Sequence, residues 1–310
     1  MPATNATTAS FVLELEGQSL PVKSIEGGAA VGVVVVSTPS AGSHFREKHL
    51  SGVRFEPIAI ATSSRRPRRL FEWITTAWQG TLAQKNGAVI RVDVNGRPQA
   101  KREFVKAILV ETTVPMLDGA SNSTADFTVH FAPERTSDVT PPTTLPPSGS
   151  PTPGDAAFMS SNFRLSIVGL DCTRVSKIDS FSVKQTPGTG LAEFPNLRIE
   201  LSNVSAATRR TWFQSFLIDS SAANEKTGSL SFLNANLTTV LATINFFNLG
   251  IYRLENSPAD PNRVVAELYC ERMELAIPPG NLISTARANA PAAFLSDRCP
   301  TASLGLSRIG

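Results

Sequence analysis

The stretch FVLELEG at residues 11–17 returns, with its pattern intact, as FRLSIVG at residues 163–169. Both stretches alternate apolar and other side chains between a phenylalanine and a glycine, which is the period of a half-buried β-strand. A second pair follows one residue out of that register, VKSIE at 22–26 and VSKID at 175–179. Ordered repetition at a near-constant spacing predicts that the chain contains two copies of one structural unit.

The repetition continues through a third strand and a helix. FEPIAI at 55–60 matches FPNLRI at 194–199, and Trp73 and Trp212 are separated by the same distance as these two stretches. Apolar side chains around each tryptophan recur at helical spacing, which predicts one short amphipathic helix in each copy. We place these helices at residues 68–79 and 208–218.

Three further pairs of strand-like stretches complete each copy. They are residues 87–94 with 228–235, 104–110 with 244–250, and 125–131 with 265–271. Several strands with one short helix predict an α+β fold that is mainly β. We expect two tandem antiparallel domains of sandwich-like or barrel-like form, each with one short flanking helix.

A proline-rich segment at residues 137–157 separates the two copies. It contains six prolines among Ser, Thr and Gly. Proline fixes φ and has no backbone N–H to donate, so this composition is typical of an extended spacer between domains. We therefore predict a first domain at residues 1–136 and a second domain, with a C-terminal tail, at 158–310.

The first copy is longer than the second between its second and third strands. The extra residues lie within 28–52 and include the valine run at 31–36, which is far too short to span a bilayer and is typical of a buried strand or an adhesive strand edge. We predict that this insert is an arm that contacts a neighbouring subunit. The candidate contact residues are Val33, Val34, Val35, Phe45, Arg46 and His49.

Arginines cluster at the start of each predicted helix. Such a cluster is typical of a solvated loop, of a site that docks on an acidic neighbour, or of nucleic-acid binding. The overall charge of +3 and the lack of interleaved aromatic residues argue against the last. The candidate docking residues are Arg65, Arg66, Arg68, Arg69, Arg209 and Arg210.

Motifs that carry chemistry are missing from the sequence. The three histidines, His44, His49 and His130, lie outside any carboxylate-rich cluster, and the three cysteines are widely spaced. The sequence has neither a phosphate-binding glycine loop nor a G-x-S-x-G nucleophile motif. We expect a protein that is not an enzyme and that uses no metal or cofactor.

The first copy resembles the tail tube proteins of contractile-tailed phages and contractile injection systems. The resemblance rests on the opening strand at 11–17, the PIAI-containing strand at 55–60, the Trp-containing helix and the VPMLDGASN turn at 114–122, and it covers residues 9–135. The second copy lacks the long loop and this turn. The resemblance implies domains that place their sheets around a lumen, here as a tandem duplication.

From this resemblance we expect a structural subunit of a ring or tube in a phage tail or injection particle. Three copies forming a pseudo-hexamer, or six copies, would serve as a tube, hub or tube-end component beside other tube, sheath or baseplate proteins. We expect assembly in the cytoplasm and a mature location in a virion or extracellular particle, without membrane insertion or direct nucleic-acid binding. The alternative is a two-domain β-rich module that binds glycans or peptides.

Overall fold

The computed structural model describes residues 10–38, 44–62, 68–147, 157–219 and 225–278. Most of these residues lie in strands, with one α-helix described in each half of the chain. The first half consists of β1 (Ser10–Leu15), β2 (Gln18–Gly27), β3 (Ala30–Val36), β4 (Lys48–Phe55), β5 (Ile58–Thr62), α1 (Arg68–Trp78), β6 (Lys85–Val92), β7 (Pro98–Val114), β8 (Leu117–Asp118), β9 (Thr128–Ala132) and β10 (Arg135–Val139).

The second half repeats this order of elements, without counterparts of β8 and β10. It consists of β11 (Phe163–Ile167), β12 (Val175–Ile178), β13 (Phe181–Gln185), β14 (Ala192–Glu193), β15 (Leu197–Ser202), α2 (Ala207–Phe213), β16 (Lys226–Leu233), β17 (Val240–Asn256) and β18 (Arg263–Ala276). A 3-10 helical turn, Asn203–Ser205, precedes α2, and a π-helical stretch, Gln214–Ile218, extends it. The prediction of a mainly β, α+β fold with two related β units is confirmed.

Six antiparallel strands of the first half form a closed barrel. Their order is β7-β6-β1-β2-β5-β9, and a further pairing of β9 with β7 closes the ring. The corresponding strands of the second half, in the order β11-β16-β17-β18-β15-β12, form an open sheet, because β11 and β12 do not pair among the described residues. One unit is therefore closed on itself and the other is open.

Pairing registers confirm the repetition predicted from the sequence. Leu15 lies opposite Gly87 in the first half, and Ile167 lies opposite Gly228 in the second. The irregularities recur as well: the register of β7 with β9 shifts after Leu109, and the register of β17 with β18 shifts after the matching Ile251. Shared bulges are specific features of a backbone, so the two halves are copies of one unit.

Two of the predicted strand alignments are wrong in register. Gly87 and Gly228 lie opposite Phe104 and Phe246, so Phe104 corresponds to Phe246 and not to residue 244. This error of two residues preserves the face of the strand, so alternation alone could not reveal it. The last pair, 125–131 with 265–271, is wrong by three residues, because the turns before the two strands differ in length.

One apolar core runs through both halves of the chain. Phe71 and Phe127 of the first half pack edge to face at 5.2 Å, and Phe127 contacts Phe232 of the second half at 5.6 Å. Phe158, which follows the proline-rich segment, lies 4.8 Å from Phe232. The halves are therefore held together by buried aromatic contacts as well as by the chain that links them.

The proline-rich segment lies along the barrel where the structure describes it. Its first residues, 137–139, belong to strand β10, and Leu145 packs on Val12 and Ile90 of the outer barrel surface. The backbone N–H of Ser19 donates to the carbonyl oxygen of Pro147 at 3.2 Å. Residues 148–156 lie outside the described part. The division of the chain into two domains at this segment stays a prediction.

Candidate assembly surfaces

The junction between the two halves is built by strand addition. Strand β13 of the second half pairs antiparallel with the end of β7 in the first half, where Phe181 to Lys184 lie opposite Val114 to Glu111. A side-chain hydrogen bond of 2.7 Å joins Thr113 and Ser182 across this pairing. In return, β8 of the first half pairs with β12 of the second. The two units thus exchange edge strands, which covers edges that would otherwise be exposed.

Helix α1 lies at the same junction. The ring of Trp78 at its end packs edge to face against Phe194 of the second half, with 6.5 Å between centroids, and only 4% of Trp78 is exposed. The Gln185 side chain donates to the carbonyl oxygen of Ala77, and the Thr75 hydroxyl donates to the Leu275 carbonyl at 3.2 Å. The first repeat therefore presents a helix end and a strand edge that the second repeat covers.

The predicted arm forms a two-stranded hairpin, β3–β4, that belongs to neither large sheet. Its valines are exposed, with 58% of Val34 and 46% of Val36 accessible, and Leu50 on the facing strand is 71% exposed. Apart from Val31 and Phe55, every residue of these two strands is exposed. An isolated two-stranded hairpin is marginal at best in water, so an apolar one needs a partner surface.

The remaining predicted arm residues lie on or next to the hairpin. Val33 and Val35 belong to β3, His49 belongs to β4, and Phe45 and Arg46 lie just before β4. All five are exposed, with Phe45 at 80%. The structure therefore brings the whole predicted set together on one projecting element. The contact of these residues with a neighbouring subunit stays a prediction.

A pair of glycines turns the chain from the barrel into the arm. Gly27 and Gly28 both have positive φ, at 83° and 76°, a region that L-residues with a Cβ seldom adopt. A Cβ on Gly27 would lie only 2.1 Å from the carbonyl oxygen of Pro57. The backbone N–H of Gly28 donates to the same oxygen. The base of the arm is therefore a tightly packed turn.

The predicted docking arginines divide into three groups. Arg65 and Arg66 lie outside the described residues. Arg68 forms an ion pair of 2.8 Å with Glu72, one helical turn further on, and Arg69 is exposed beside Gln18. Ion pairs as exposed as this one contribute little to stability, which leaves both guanidinium groups accessible to a partner.

Arg210 and Arg209 follow each other but have opposite environments. Arg210 is exposed and donates to the Asn203 side chain at 2.6 Å. Arg209 is fully buried, and its guanidinium donates to the carbonyl oxygen of Asp171 at 2.5 Å and to the sulfur of Cys172. Arg209 therefore cannot dock on a neighbour, and its inclusion in the docking set was wrong. The alignment of Trp73 with Trp212 places Arg209 at the position of the buried Leu70, and this match could have predicted its burial.

One strand of the second repeat, β17, has an unpaired edge at its end in the part of the chain that the structure describes, whereas the matching end of β7 in the first repeat is paired on both sides. Within the described residues, Arg253 to Asn256 of β17 pair with β18 on one side only. The neighbouring Tyr252 is 39% exposed. At the end of the helical segment, Leu217 and Ile218 are 43% and 58% exposed. Sequence reasoning missed this surface, because it depends on which edges remain unpaired after folding.

The pKa shifts of three side chains, Asp138, Tyr269 and Cys270, come from hydrogen bonds and burial within the fold. Two hydrogen bonds from Arg102 hold the pKa of the Asp138 carboxyl below its usual range. Burial, with a hydrogen bond to Glu225, raises the pKa of Tyr269 to about 12, and burial raises that of the Cys270 thiol to about 11. Across the described ranges, no three His, Cys, Asp or Glu side chains cluster as metal ligands, and no helix is long and apolar enough to cross a membrane.

Comparisons with known proteins find similarity only among solved structures. No family model and no curated protein matches the chain. A chain of the anti-feeding prophage baseplate is 12% identical, with a TM-score of 0.36, and the match covers 45% of this chain and 96% of that one. A chain of the PVC sheath–tube complex, from an extracellular contractile injection system, is 16% identical, with a TM-score of 0.37 and coverages of 45% and 92%.

Hcp1 from Flavobacterium johnsoniae is a further similar structure, with 18% identity, a TM-score of 0.30 and coverages of 42% and 94%. Similarities of this extent carry neither a fold nor a function over to this chain.

Proposed function

We propose that this protein is a structural subunit that associates with copies of itself into a ring or tube of a phage tail or contractile injection particle. The observation that carries the proposal is the β3–β4 arm, an apolar hairpin exposed on both faces. Contiguous exposed apolar surface on a folded chain marks an interaction site. An arm of this kind is stabilised when another subunit covers it.

The internal junction supports self-association by showing how two copies of this unit join. Strand addition covers an edge of the barrel, while Phe194 covers the end of α1. The contact is heterologous, because the edge of one unit meets a different surface of the other. Repeated heterologous contacts close into rings when the rotation allows it, and otherwise continue as helical filaments.

Three chains supplying six units form the ring in this proposal, as the resemblance to tail tube proteins implies. The ring is a tube, hub or tube-end component. The exposed Arg68, Arg69 and Arg210 then provide a basic surface for an acidic sheath, tube or baseplate neighbour. The role is structural and uses no cofactor.

Negative-stain microscopy of the purified full chain tests the proposal. The wild type is expected to form rings or tubes, and Val34→Asp together with Leu50→Asp is expected to leave folded, unassembled protein. A matched control is Val168→Asp with Val204→Asp, because these residues are 65% and 78% exposed outside the arm and should not affect assembly. A wild type that stays monomeric at every concentration and binds a glycan column would instead support the binding-module alternative.

A further inference from the structure

The two repeats present corresponding surfaces with opposite exposure. In the first repeat, Thr112 and Val114 on the edge of β7 are buried, at 1% and 0%, because β13 pairs along them. The register places Leu254 and Asn256 of β17 in these positions, where Leu254 is half-buried and Asn256 is exposed. The surface that is covered in one repeat is therefore open in the other.

The helix ends show the same difference. Trp78 ends α1 and is covered by Phe194. The alignment of Trp73 with Trp212 places Leu217 at the equivalent position, and it is 43% exposed, with Ile218 beside it at 58%. Two independent features of the second repeat, a strand edge and a helix end, thus lack the cover that their counterparts have among the described residues.

The element that would supply this cover is present at the other end of the chain. The β13–β14 hairpin, which covers the first repeat, lies between the second and third barrel-type strands of the second repeat. The β3–β4 arm lies at the same place in the first repeat, and Phe55 at its end corresponds to Phe194. The arm is exposed, and within the described ranges its strands β3 and β4 pair only with each other, so that each has an unpaired edge.

We infer that the β3–β4 arm of one copy adds to the Arg253–Asn256 edge of β17 in a second copy and covers Leu217 and Ile218 there. This inference rests on the proposed self-assembly and names the surfaces that carry it. Each contact between chains then reproduces the strand addition within the chain, a mode in which main-chain hydrogen bonds give affinity and apolar side chains give specificity. The contact is head to tail, and every copy offers one donor arm and one acceptor edge.

The longer arm of the first repeat fits this role. Within the chain, the proline-rich segment already holds the two units together, so the short β13–β14 hairpin is sufficient. Between chains no covalent link exists, and the arm has seven or eight residues in each strand to pair and bury. Its length provides the additional contact area that separate chains need.

A photo-activated cross-linking amino acid tests this contact directly. Benzoylphenylalanine replaces Leu217 in the full chain, and the assembled protein is irradiated and digested for mass spectrometry. We expect covalent multimers whose cross-linked peptides come from residues 28–36 or 48–55 of another copy. The same probe at Tyr252, beside the strand edge, should give the same peptides, whereas a probe at Val204 should give no multimers.

The outcomes separate this inference from the proposed function. Rings that form normally but cross-link from residue 217 to peptides outside the arm would overturn the head-to-tail contact and leave self-assembly standing. A chain that never assembles would overturn both. Leu217→Asp should also raise the concentration at half-assembly by about tenfold or more, since a buried leucine contributes on the order of a tenfold change in affinity. Assembly that is unchanged in this variant would contradict the contact.

Discussion

Truncating the end of each helix should have opposite consequences in the two repeats. Trp78 is 96% buried beneath Phe194 of the second repeat, and its counterpart Leu217 is 43% exposed. Trp78→Ala removes a large side chain from a packed site, a change that costs about 3–5 kcal/mol. The lower end applies here, because the indole Nε1 is buried without a hydrogen-bond partner in the described part of the chain.

Leu217→Ala should cost the isolated chain much less. Complete burial of a leucine side chain contributes about 1.5–3 kcal/mol, and this residue is little more than half-buried, so the expected loss is about 1 kcal/mol. The two variants should therefore differ by about 2 kcal/mol in the free energy of unfolding. Equilibrium urea unfolding followed by circular dichroism, at a protein concentration too low for assembly, measures this difference.

A double-mutant cycle isolates the contact between the repeats. Phe194→Ala combined with Trp78→Ala should show a coupling energy of about 0.5–1.5 kcal/mol, the usual range for an aromatic pair. The reasoning is refuted if Trp78→Ala and Leu217→Ala destabilise the chain equally, or if the cycle shows no coupling. Either result would mean that the second repeat does not cover the helix end of the first.

Three further predictions concern single positions. Gly27→Ala should destabilise the fold by several kcal/mol more than Gly17→Ala. Both glycines have positive φ, but only a Cβ at residue 27 would clash with a backbone oxygen. Thermal unfolding of the two variants compares their stability. Arg209→Ala should cost about 2–3 kcal/mol through lost charged hydrogen bonds, and Arg210→Ala less than about 1, in urea unfolding at low protein concentration. Between pH 10 and about 12 the free energy of unfolding should fall as pH rises, because the folded chain holds the Tyr269 proton more tightly than the unfolded chain. Tyr269→Phe should flatten this slope, and equal slopes in the variant and the wild type would contradict the prediction.

Much of the repeat was predictable from the sequence, because alternation and tryptophan spacing are local signals. The pairing registers confirm the predicted matches of Phe11 with Phe163 and of Ile60 with Ile199. The helix predicted at 68–79 is Arg68–Trp78. Alternation repeats every two residues, so it could not detect a shift of two residues, as at Phe104. The arm was predictable as an insertion because the other repeat lacks an element of the same length.

The pairing of strands between repeats was not predictable in this way. Strand β13 pairs with β7 and β8 with β12, and the alternation of β13 and β7 does not show that their partners lie in the other repeat. The choice depends on which edges are brought together by the shared core around Phe127 and Phe232. Burial of Arg209 was missed for a related reason, because a pair of arginines is typical of a solvated surface unless one is aligned with the buried Leu70 of the first repeat.

Native mass spectrometry of the purified full-length chain tests the central proposal, head-to-tail self-assembly, most directly. The proposal predicts a particle with three times the 33.1 kDa chain mass, or a multiple of it for stacked rings, and its loss in the Val34→Asp, Leu50→Asp variant. A chain that stays monomeric at every concentration, or a particle of only two chains, would contradict it. A two-fold dimer with reciprocally exchanged arms would also use both surfaces of each copy, but it would supply four units and not the six of the proposed ring.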